Sequence, residues 1–446
     1  MIDVKLLRAD PEAMRRAIRL RRVDPRKADL DRWLQLDERR RQLQGEIDGL
    51  NAAKKELSRL GRTDPEAARQ QGQELREQGR QLEQELAQLS AQWQEILDWL
   101  PNWPHPKMPE GAGEEDNVEE KAWIPGRGYL AEPGHSAAQM PAFPPHADSR
   151  DFAPQAHADL GPRLGIDTQQ AGKVSGSRFT YIRGDLALVQ YALSQLLIGE
   201  LLRRGYEMLI PPLLVREPAL YGTSHFPEGR AQVYAIQRDN VEDQTQLFLV
   251  GSSEPANFSF FAGRTLREED LPLRLFAYTP CFRSEAGSWG KDVKGIKRVH
   301  QFDKLEMNAV CAPEQSEAMY EEFGQINEWL MQKLELPYRI VDKCAGDAGY
   351  LASHRQRDVE AWLPGSREFM EVMTDTNTTD YQARRLEIRC RPAQGNARVC
   401  HTVNDTGCAM GRMLIAIIEN YQQQEGAVKV PAALRPAVGK DYLQPK

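Results

Sequence analysis

Cysteine is missing from the first 280 of the 446 residues, and the six present, Cys281, Cys311, Cys344, Cys390, Cys400 and Cys408, form no C-x-x-C pair. That spacing argues against a thiolate zinc cluster and against a disulfide framework. No zinc is expected. The thiols read as small buried apolar groups, with a reactive thiol as the other reading. Long hydrophobic runs are also scarce, and none approaches the ~18–20 apolar residues of a membrane span. The stretch MIDVKLLRADPEAM places acids and bases where a signal peptide carries its apolar segment. No membrane contact and a cytoplasmic location are therefore expected. A global excess of positive charge is absent too, the net charge being −7.

The charge that is there is unevenly placed. Residues 1–62 hold 17 Lys+Arg against 11 Asp+Glu, whereas residues 63–100 hold 3 against 8. A basic segment followed by an acidic one matters for a polyanionic partner. The same region is periodic. Leu36, Leu43, Leu50 and Leu57 are seven apart, with Ile47 offset. After Gly61-Arg62-Thr63-Asp64-Pro65, Leu75, Leu82, Leu89 and Ile96 repeat the spacing, with Leu86, Trp93 and Leu100 as a second column. Matched heptads around a Gly/Pro break predict an antiparallel coiled-coil hairpin, each helix of ~30 residues spanning ~45 Å. Such a hairpin is too thin for a deep pocket; it serves as a spacer, an oligomerisation arm or a grip on a partner.

Residues 1–105 are taken as this helical hairpin. Residues 106–164 are taken as a linker with a surface insertion near 127–150, because Pro, Gly and acidic residues crowd it and speak against a helix or central strand. Residues 165–446 are taken as a catalytic domain. There GDLALVQYALSQLLIGELLRRGYEML predicts a long helix followed by an apolar strand LIPPLLV. Strand-like runs such as LRLFAYTPCFRSE, KRVHQFDKLEMNAV and REFMEVMTDTN then alternate with few helices, and GRMLIAIIENYQQQ predicts a last helix. The fold class is α+β on an antiparallel sheet.

The most informative window is FRSEAGSWGKDVKGIKRVHQFDKLE, Phe282 to Glu306. Strand alternation puts Arg283 and Glu285 on one face, and His300, Phe302, Lys304 and Glu306 on one face of the next strand. The intervening Ala286–Lys297 segment, rich in Gly and Lys, reads as a mobile basic loop. An arginine fork suits phosphate and an aromatic face suits a purine; a solvated hairpin laced with ion pairs is the other reading. A second cluster, Gly407-Cys408-Ala409-Met410-Gly411-Arg412, opens an apolar helix whose N-terminus favours an anion, with Arg412 in its first turn. Glu371 and Thr374 add a carboxylate and a hydroxyl suited to Mg²⁺ beside phosphates.

These stretches resemble the seryl-tRNA synthetases, a class II aminoacyl-tRNA synthetase family. FRSEAGSWGKDVKGIKRVHQFDKLE is similar to the second class motif, GCAMGRMLIAIIENYQ to the third and LLRRGYEMLIPPLLV to the first. LPNWPHPKMPEGAGEEDN, VSGSRF, ALYGTSHFP and DYQARR are similar to family phrases, so the likeness covers nearly the whole chain. It implies a class II catalytic domain with an N-terminal tRNA-binding arm, and a homodimer with Pro211 and its preceding helix at the interface. The activity implied is ATP- and Mg²⁺-dependent formation of seryl-adenylate from L-serine, then transfer to tRNA-Ser, with tRNA-Sec as a further acceptor.

The resemblance also implies residue roles. Arg283 holds the α-phosphate and the serine carboxylate, Glu285 meets the adenine amino group, Val299 and Phe302 line the adenine, and Arg412 clamps the γ-phosphate. Glu371 and Thr374 hold the metal or ATP, with Ser284, Val372 and Met373 in the same ATP set. Ser252, Ser253, Glu254, Glu306, Asn404 and Thr406, with Arg283, surround the serine, Glu306 taking its hydroxyl. Arg39, Arg40, Arg41, Lys54 and Lys55 face the RNA. The chain departs from the family in having Ser252-Ser253-Glu254-Pro255-Ala256 for Thr-x-Glu-Val-Pro. It has Met373-Thr374-Asp375-Thr376 for a Ser-rich segment, which adds a negative charge beside the expected ATP site, and Asn404-Asp405-Thr406 for Asn-Gly-Ser. An adenylate-forming paralogue that loads a carrier protein, and an inactive interaction protein, are the competing readings.

Overall fold

The computed structural model describes residues 1–60, 65–130, 150–237, 245–287 and 294–446. The expected turn at Gly61–Asp64, most of the 127–150 insertion and the middle of the 286–297 loop lie outside the described residues. The chain divides into two compact units, Met1–Pro101 and Asn102–Lys446.

In the first unit two short helices, α1 (Val4–Ala9) and α2 (Pro11–Leu20), precede the hairpin helices α3 (Leu30–Leu60) and α4 (Pro65–Trp99). Asp10 starts α2 by accepting the Ala13 amide, with Pro11 in the first turn, where its missing N–H costs nothing. Leu36, Leu43 and Ile47 of the predicted heptads are buried, and Trp33 of α3 meets Trp93 of α4 with ring centroids 5.5 Å apart. Asp37 is buried beside them. It accepts two bonds of 2.7 Å from Arg8 and one of 3.2 Å from the Trp93 indole, tying α1 to both long helices.

The second unit is built on nine strands: β1 (Val118–Ile124), β2 (Gly128–Tyr129), β3 (Glu207–Leu209), β4 (Leu273–Phe282), β5 (Gln301–Cys311), β6 (Tyr338–Asp342), β7 (Arg355–Leu363), β8 (Glu368–Thr379) and β9 (His401–Ala409). Their order is β2-β1-β6-β7-β8-β9-β5-β4-β3, and among the described residues β4 with β3 is its one parallel pair. Three helices, α5 (Asp185–Arg203), α6 (Ser316–Lys333) and α7 (Met410–Tyr421), share one hydrophobic core with this sheet. Leu305, Met307, Ala309 and Cys311 of β5 enter that core, so the alternate residues Lys304 and Glu306 face the other side, while Phe302 packs against the core's margin and lines the hollow there.

Four expectations need correction. The segment taken as a linker supplies β1, second from the sheet edge and paired to both β2 and β6. Its VEEKAWI run is bounded by Pro and Gly only at its ends, where they do not interrupt the ladder. LIPPLLV is not one strand: Pro211 and Pro212 cannot donate to a ladder, and the chain passes from β3 into Leu214–Arg216 of a separate three-stranded sheet. Strand β4 ends at Phe282, so Arg283 and Glu285 lie beyond it, Glu285 at a left-handed φ of 52°. Finally, α5, at 19 residues, is long and apolar enough to cross a membrane by length and composition; its Leu186, Val189, Leu193, Leu197 and Leu201 are buried in the core.

Candidate active site

Two irregularities in the ladders shape the polar face of the sheet. Between β7 and β8 the register shifts at Val359/Glu360, so that Glu360 pairs with Glu371 and Val359 with Met373, leaving Val372 extra. A bulge of this kind reverses the alternation locally. Val372 and Met373 both enter the hydrophobic core, while Glu371 and Thr374 share the open face and the Thr374 hydroxyl donates to Glu371 at 3.1 Å. A second shift, between β5 and β9 at Leu305/Met307, leaves Glu306 opposite the Thr406–Gly407 step. There Lys304 Nζ lies 2.5 Å from Glu306 Oε2, and the Thr406 hydroxyl is within 3.4 Å of the same oxygen.

Two adjoining hollows lie on this face. One is lined by Arg283, Glu285, Arg298, Val299, Phe302 and Arg412. The other, a cavity of about 170 Å³, is lined by Ser252, Glu254, Glu306, Thr376, Asn404 and Gln382 among others. Arg283, Lys304, Glu371 and Thr406 line both, so the two are continuous. Arg283 donates to the Gly251 carbonyl at 3.3 Å, and its guanidinium carbon is 5.4 Å from the Phe302 ring centre. Among the described residues it has no carboxylate partner within 4.0 Å. Arg412 Nη1 lies 3.0 Å from Glu371 Oε1, and Glu285 is held by Arg298 at 2.8 Å.

The charges are tuned by burial. Glu254 is pushed up to about 8, chiefly by burial and then by repulsion from Glu306. His225 is pushed down to about 3 by burial, with Arg283 and Lys304 adding to it. Burial also works to raise Glu371, but Arg412, Lys343 and the Thr374 hydroxyl hold it below the ordinary carboxylate value. Asp358, opposite Thr374 in the register, is raised to about 7 by burial and by Glu371. Glu371, Thr374 and Asp358 thus form a set of hard oxygen donors, the chemistry that Mg²⁺ takes.

Most of the residues singled out from the sequence converge here. Some do not. Ser253 is buried against the Asn257 amide, Ser284 donates to the Ala231 carbonyl, and Val372 and Met373 are in the core. Asp375, the unexpected acid, points away from the cavity: it pairs with Arg357 at 3.0 Å, on the side where Arg357 also reaches the Tyr320 carbonyl of α6. His225, Gln382 and Asp358 line or border the site without having been singled out. Asp358 lies within β7; His225 sits in a turn and Gln382 in the short helix Tyr381–Arg385, inside the phrases ALYGTSHFP and DYQARR, which carry the family likeness without marking either side chain.

In the hairpin, Arg40 lies over the Trp93 ring, 4.1 Å from its centre, and donates to Ser90. Arg39 is bound to Glu85 and Glu46, and Arg41 to Asp37. Lys54 folds across Gly79 of α4, where an added Cβ would meet its amine. Lys55 is exposed. The basic run therefore divides between the seam and the outer surface.

A separate trio, His105, Glu317 and His354, brings donor atoms within 4.8 Å of one another. His105 Nδ1 accepts the Lys107 amide, so in the neutral ring Nε2 carries the hydrogen and offers no lone pair to a metal.

An antiparallel sheet carrying an arginine at the end of one strand, an aromatic on the next and a second arginine in the first turn of the closing helix defines the class II aminoacyl-tRNA synthetases. The family model described as "tRNA synthetase class II core domain (G, H, P, S and T)" matches residues 234–421. A prolyl-tRNA synthetase of Giardia lamblia shares the fold at a TM-score of 0.56 and 14% identity, over 64% of this chain and 57% of its own. Within that class, the "Seryl-tRNA synthetase N-terminal domain" matches residues 1–104. Serine--tRNA ligases of Dictyoglomus turgidum and Rubrobacter xylanophilus are 38% and 37% identical, over 100% of this chain and 100% and 99% of theirs. The seryl-tRNA synthetase of Pyrococcus horikoshii, solved complexed with ATP, superposes at a TM-score of 0.89 with 32% identity over 100% of both chains. The chain belongs to the seryl-tRNA synthetase family.

Proposed function

We propose that the protein is a serine–tRNA ligase that activates L-serine with ATP and passes the seryl group to the 3′ end of tRNA-Ser. The observation that carries this is the continuity of the two hollows through Arg283. A phosphate-binding fork thereby stands where an amino-acid carboxylate in one meets a nucleotide in the other.

In this reading Phe302 and Val299 receive the adenine, Glu285 its amino group, Arg283 the α-phosphate and Arg412 the γ-phosphate. Glu371 and Thr374 hold Mg²⁺, which when bound neutralises charge on the phosphates. Ser252, Glu254, Glu306, Asn404 and Thr406 surround the serine. Attack of the serine carboxylate on the α-phosphorus places charge on phosphate oxygens, so alignment and the two arginines carry the step, and no general base is required. A cavity of this size with Glu306 in its lining suits a hydroxylated side chain. A site built to bond a hydroxyl rejects analogues lacking it by ~10⁴-fold or more, because its polar groups are left unpaired.

The arm binds the RNA by shape and phosphate contacts. The enzyme acts in the cytoplasm as a homodimer. Leu188 and Tyr191 of α5, with Met208 and Leu214 around Ile210, which is 93% exposed, supply an apolar face for it near Pro211. A ligase for a carrier protein has less use for the arm helices, whose family model spans them in full. The test is amino-acid-dependent pyrophosphate exchange over all twenty amino acids, followed by charging of tRNA-Ser. Exchange with serine and charging of that tRNA are expected. Exchange with a different amino acid, or transfer only to a carrier protein, overturns the reading.

A further inference from the structure

The cavity has two unlike ends. Arg283 and Lys304 bring positive charge, and Lys304 is already paired with Glu306. The end bounded by Glu254 and His225 is different. His225 follows the short helix Glu217–Gly222, and its ring rests on Tyr350 with centroids 4.7 Å apart. The Thr223 hydroxyl donates its only hydrogen to the Ala219 carbonyl at 3.0 Å and lies 2.9 Å from His225 Nδ1. Having no hydrogen left to give, it accepts one, so Nδ1 carries the ring proton and Nε2 is a bare acceptor. Burial keeps the ring neutral.

That Nε2 lies 3.9 Å from Glu254 Oε2. The separation is too long for a hydrogen bond, and it suits two acceptors that share one ammonium. Glu254 is itself fixed. Gln382 donates to its other oxygen, Oε1, at 2.6 Å, and the Gln382 carbonyl accepts from the Thr402 hydroxyl at 3.0 Å. A zwitterion entering this cavity turns its carboxylate to the cationic end and its ammonium to this one.

We propose that His225 Nε2 is a ligand of the amino-acid substrate: together with Glu254, which Gln382 orients, it receives the α-ammonium. The inference rests on the reading of this cavity as the serine site and adds a residue to it. His225, Glu254 and Gln382 line the amino-acid hollow and not the nucleotide hollow, so the effect is expected on the amino acid.

The experiment is serine- and ATP-dependent pyrophosphate exchange with the full-length protein and with His225→Phe, His225→Gln and Glu254→Gln. His225→Phe keeps the ring and removes the acceptor. It is expected to raise the KM for serine by about tenfold to a hundredfold, the worth of one hydrogen bond to a charged group, with the KM for ATP within twofold. His225→Gln restores an acceptor and is expected to stay within about threefold of the parent. An unchanged serine KM in His225→Phe overturns the inference; so does a rise in His225→Gln as large as that in His225→Phe, because acceptor chemistry would then not be the cause. Glu254→Gln separates the two levels. If it too leaves the serine KM unchanged, the assignment of the cavity fails, whereas a raised KM there with an unaffected His225→Phe removes His225 alone.

Discussion

Arg412 is closed onto Glu371: Nη1 lies 3.0 Å from Oε1 and donates to the Glu371 backbone carbonyl at 3.1 Å. The group assigned to the γ-phosphate thus neutralises the group assigned to the metal. A magnesium–nucleotide complex would satisfy both, Glu371 holding the cation and Arg412 the phosphate. Glu371→Gln keeps the shape and removes the charge. It is expected to shift the Mg²⁺ midpoint of pyrophosphate exchange upward by about tenfold or more, because a hard cation loses its one anionic protein ligand on that strand. A Mg²⁺ titration at fixed ATP reads this directly. An unmoved midpoint removes Glu371 from the metal site.

Arg283 lines both hollows and, among the described residues, has no ion-pair partner to leave behind. Arg283→Ala is therefore expected to cost little stability and much activity. Losing a donor aimed at developing phosphate charge costs about 10²–10³ in rate, with a melting temperature near that of the parent. Arg283→Lys should recover little of it, since one ammonium cannot bridge carboxylate and phosphate as a planar fork does. Exchange assays paired with thermal melts distinguish this from a folding defect, in which both measurements would fall together.

Glu254 gives a pH dependence whose sign follows from its surroundings. Its pKa is pushed up to about 8 by burial and by Glu306, against the lowering influence of Gln382, Lys304 and Arg283. At pH 7 the carboxyl is mostly protonated, yet an ammonium binds the ionised form. Binding therefore releases a proton, and the apparent serine affinity should rise with pH up to about 8 and then level. His225, at about 3, stays neutral throughout this window. Between pH 6 and 8 the KM for serine should fall by about tenfold to fiftyfold in the parent, following the ionised fraction of Glu254, and stay flat in Glu254→Gln. A flat profile in both would show that Glu254 is already ionised when serine arrives.

How much of this was legible in the sequence depended on periodicity. Heptads in 36–57 and 75–96 announced α3 and α4, and alternation in 302–306 placed Phe302, Lys304 and Glu306 on one face without any family knowledge. Where a ladder departs from strict alternation, pattern fails. Glu371 and Thr374, three apart, belong on opposite faces of a regular strand, and only the bulge at Val372 unites them. The same bulge sends Asp375 to the far side with Arg357, which resolves the apparent conflict of an added acid beside ATP. Strand β1 was hidden by composition, since Pro and Gly counted over a whole segment obscure where they fall within it. His225 and Gln382 were not picked out by pattern, because a turn and a five-residue helix position single side chains through hydrogen bonds that leave no repeat; only the family phrases around them were legible.

The arm separates two kinds of arginine that sequence treats alike. Arg40 lies in the seam over Trp93, with Ser90 on its Nε, and burial lowers its pKa. A cation so placed holds the hairpin together. Arg41 is 60% exposed at the side chain and shares Asp37 with Arg8, and Lys55 is exposed. Those two can turn toward a phosphate: Lys55 is on the surface, and Arg8 keeps the buried Asp37 paired when Arg41 leaves it. Arg40→Ala is therefore expected to destabilise the arm by about 0.5–2 kcal/mol, the range of a partly desolvated cation–π contact, and to affect charging only near its melting range. Arg41→Gln with Lys55→Gln should leave the melt unchanged, raise the KM for tRNA-Ser, and flatten its dependence on salt, since fewer counterions are released. In all of these variants serine-dependent pyrophosphate exchange should persist, because it requires only residues of the second unit. Charging at several salt concentrations, set beside the melts, decides the matter: equal salt slopes in the parent and in the double variant would place the RNA elsewhere on the arm.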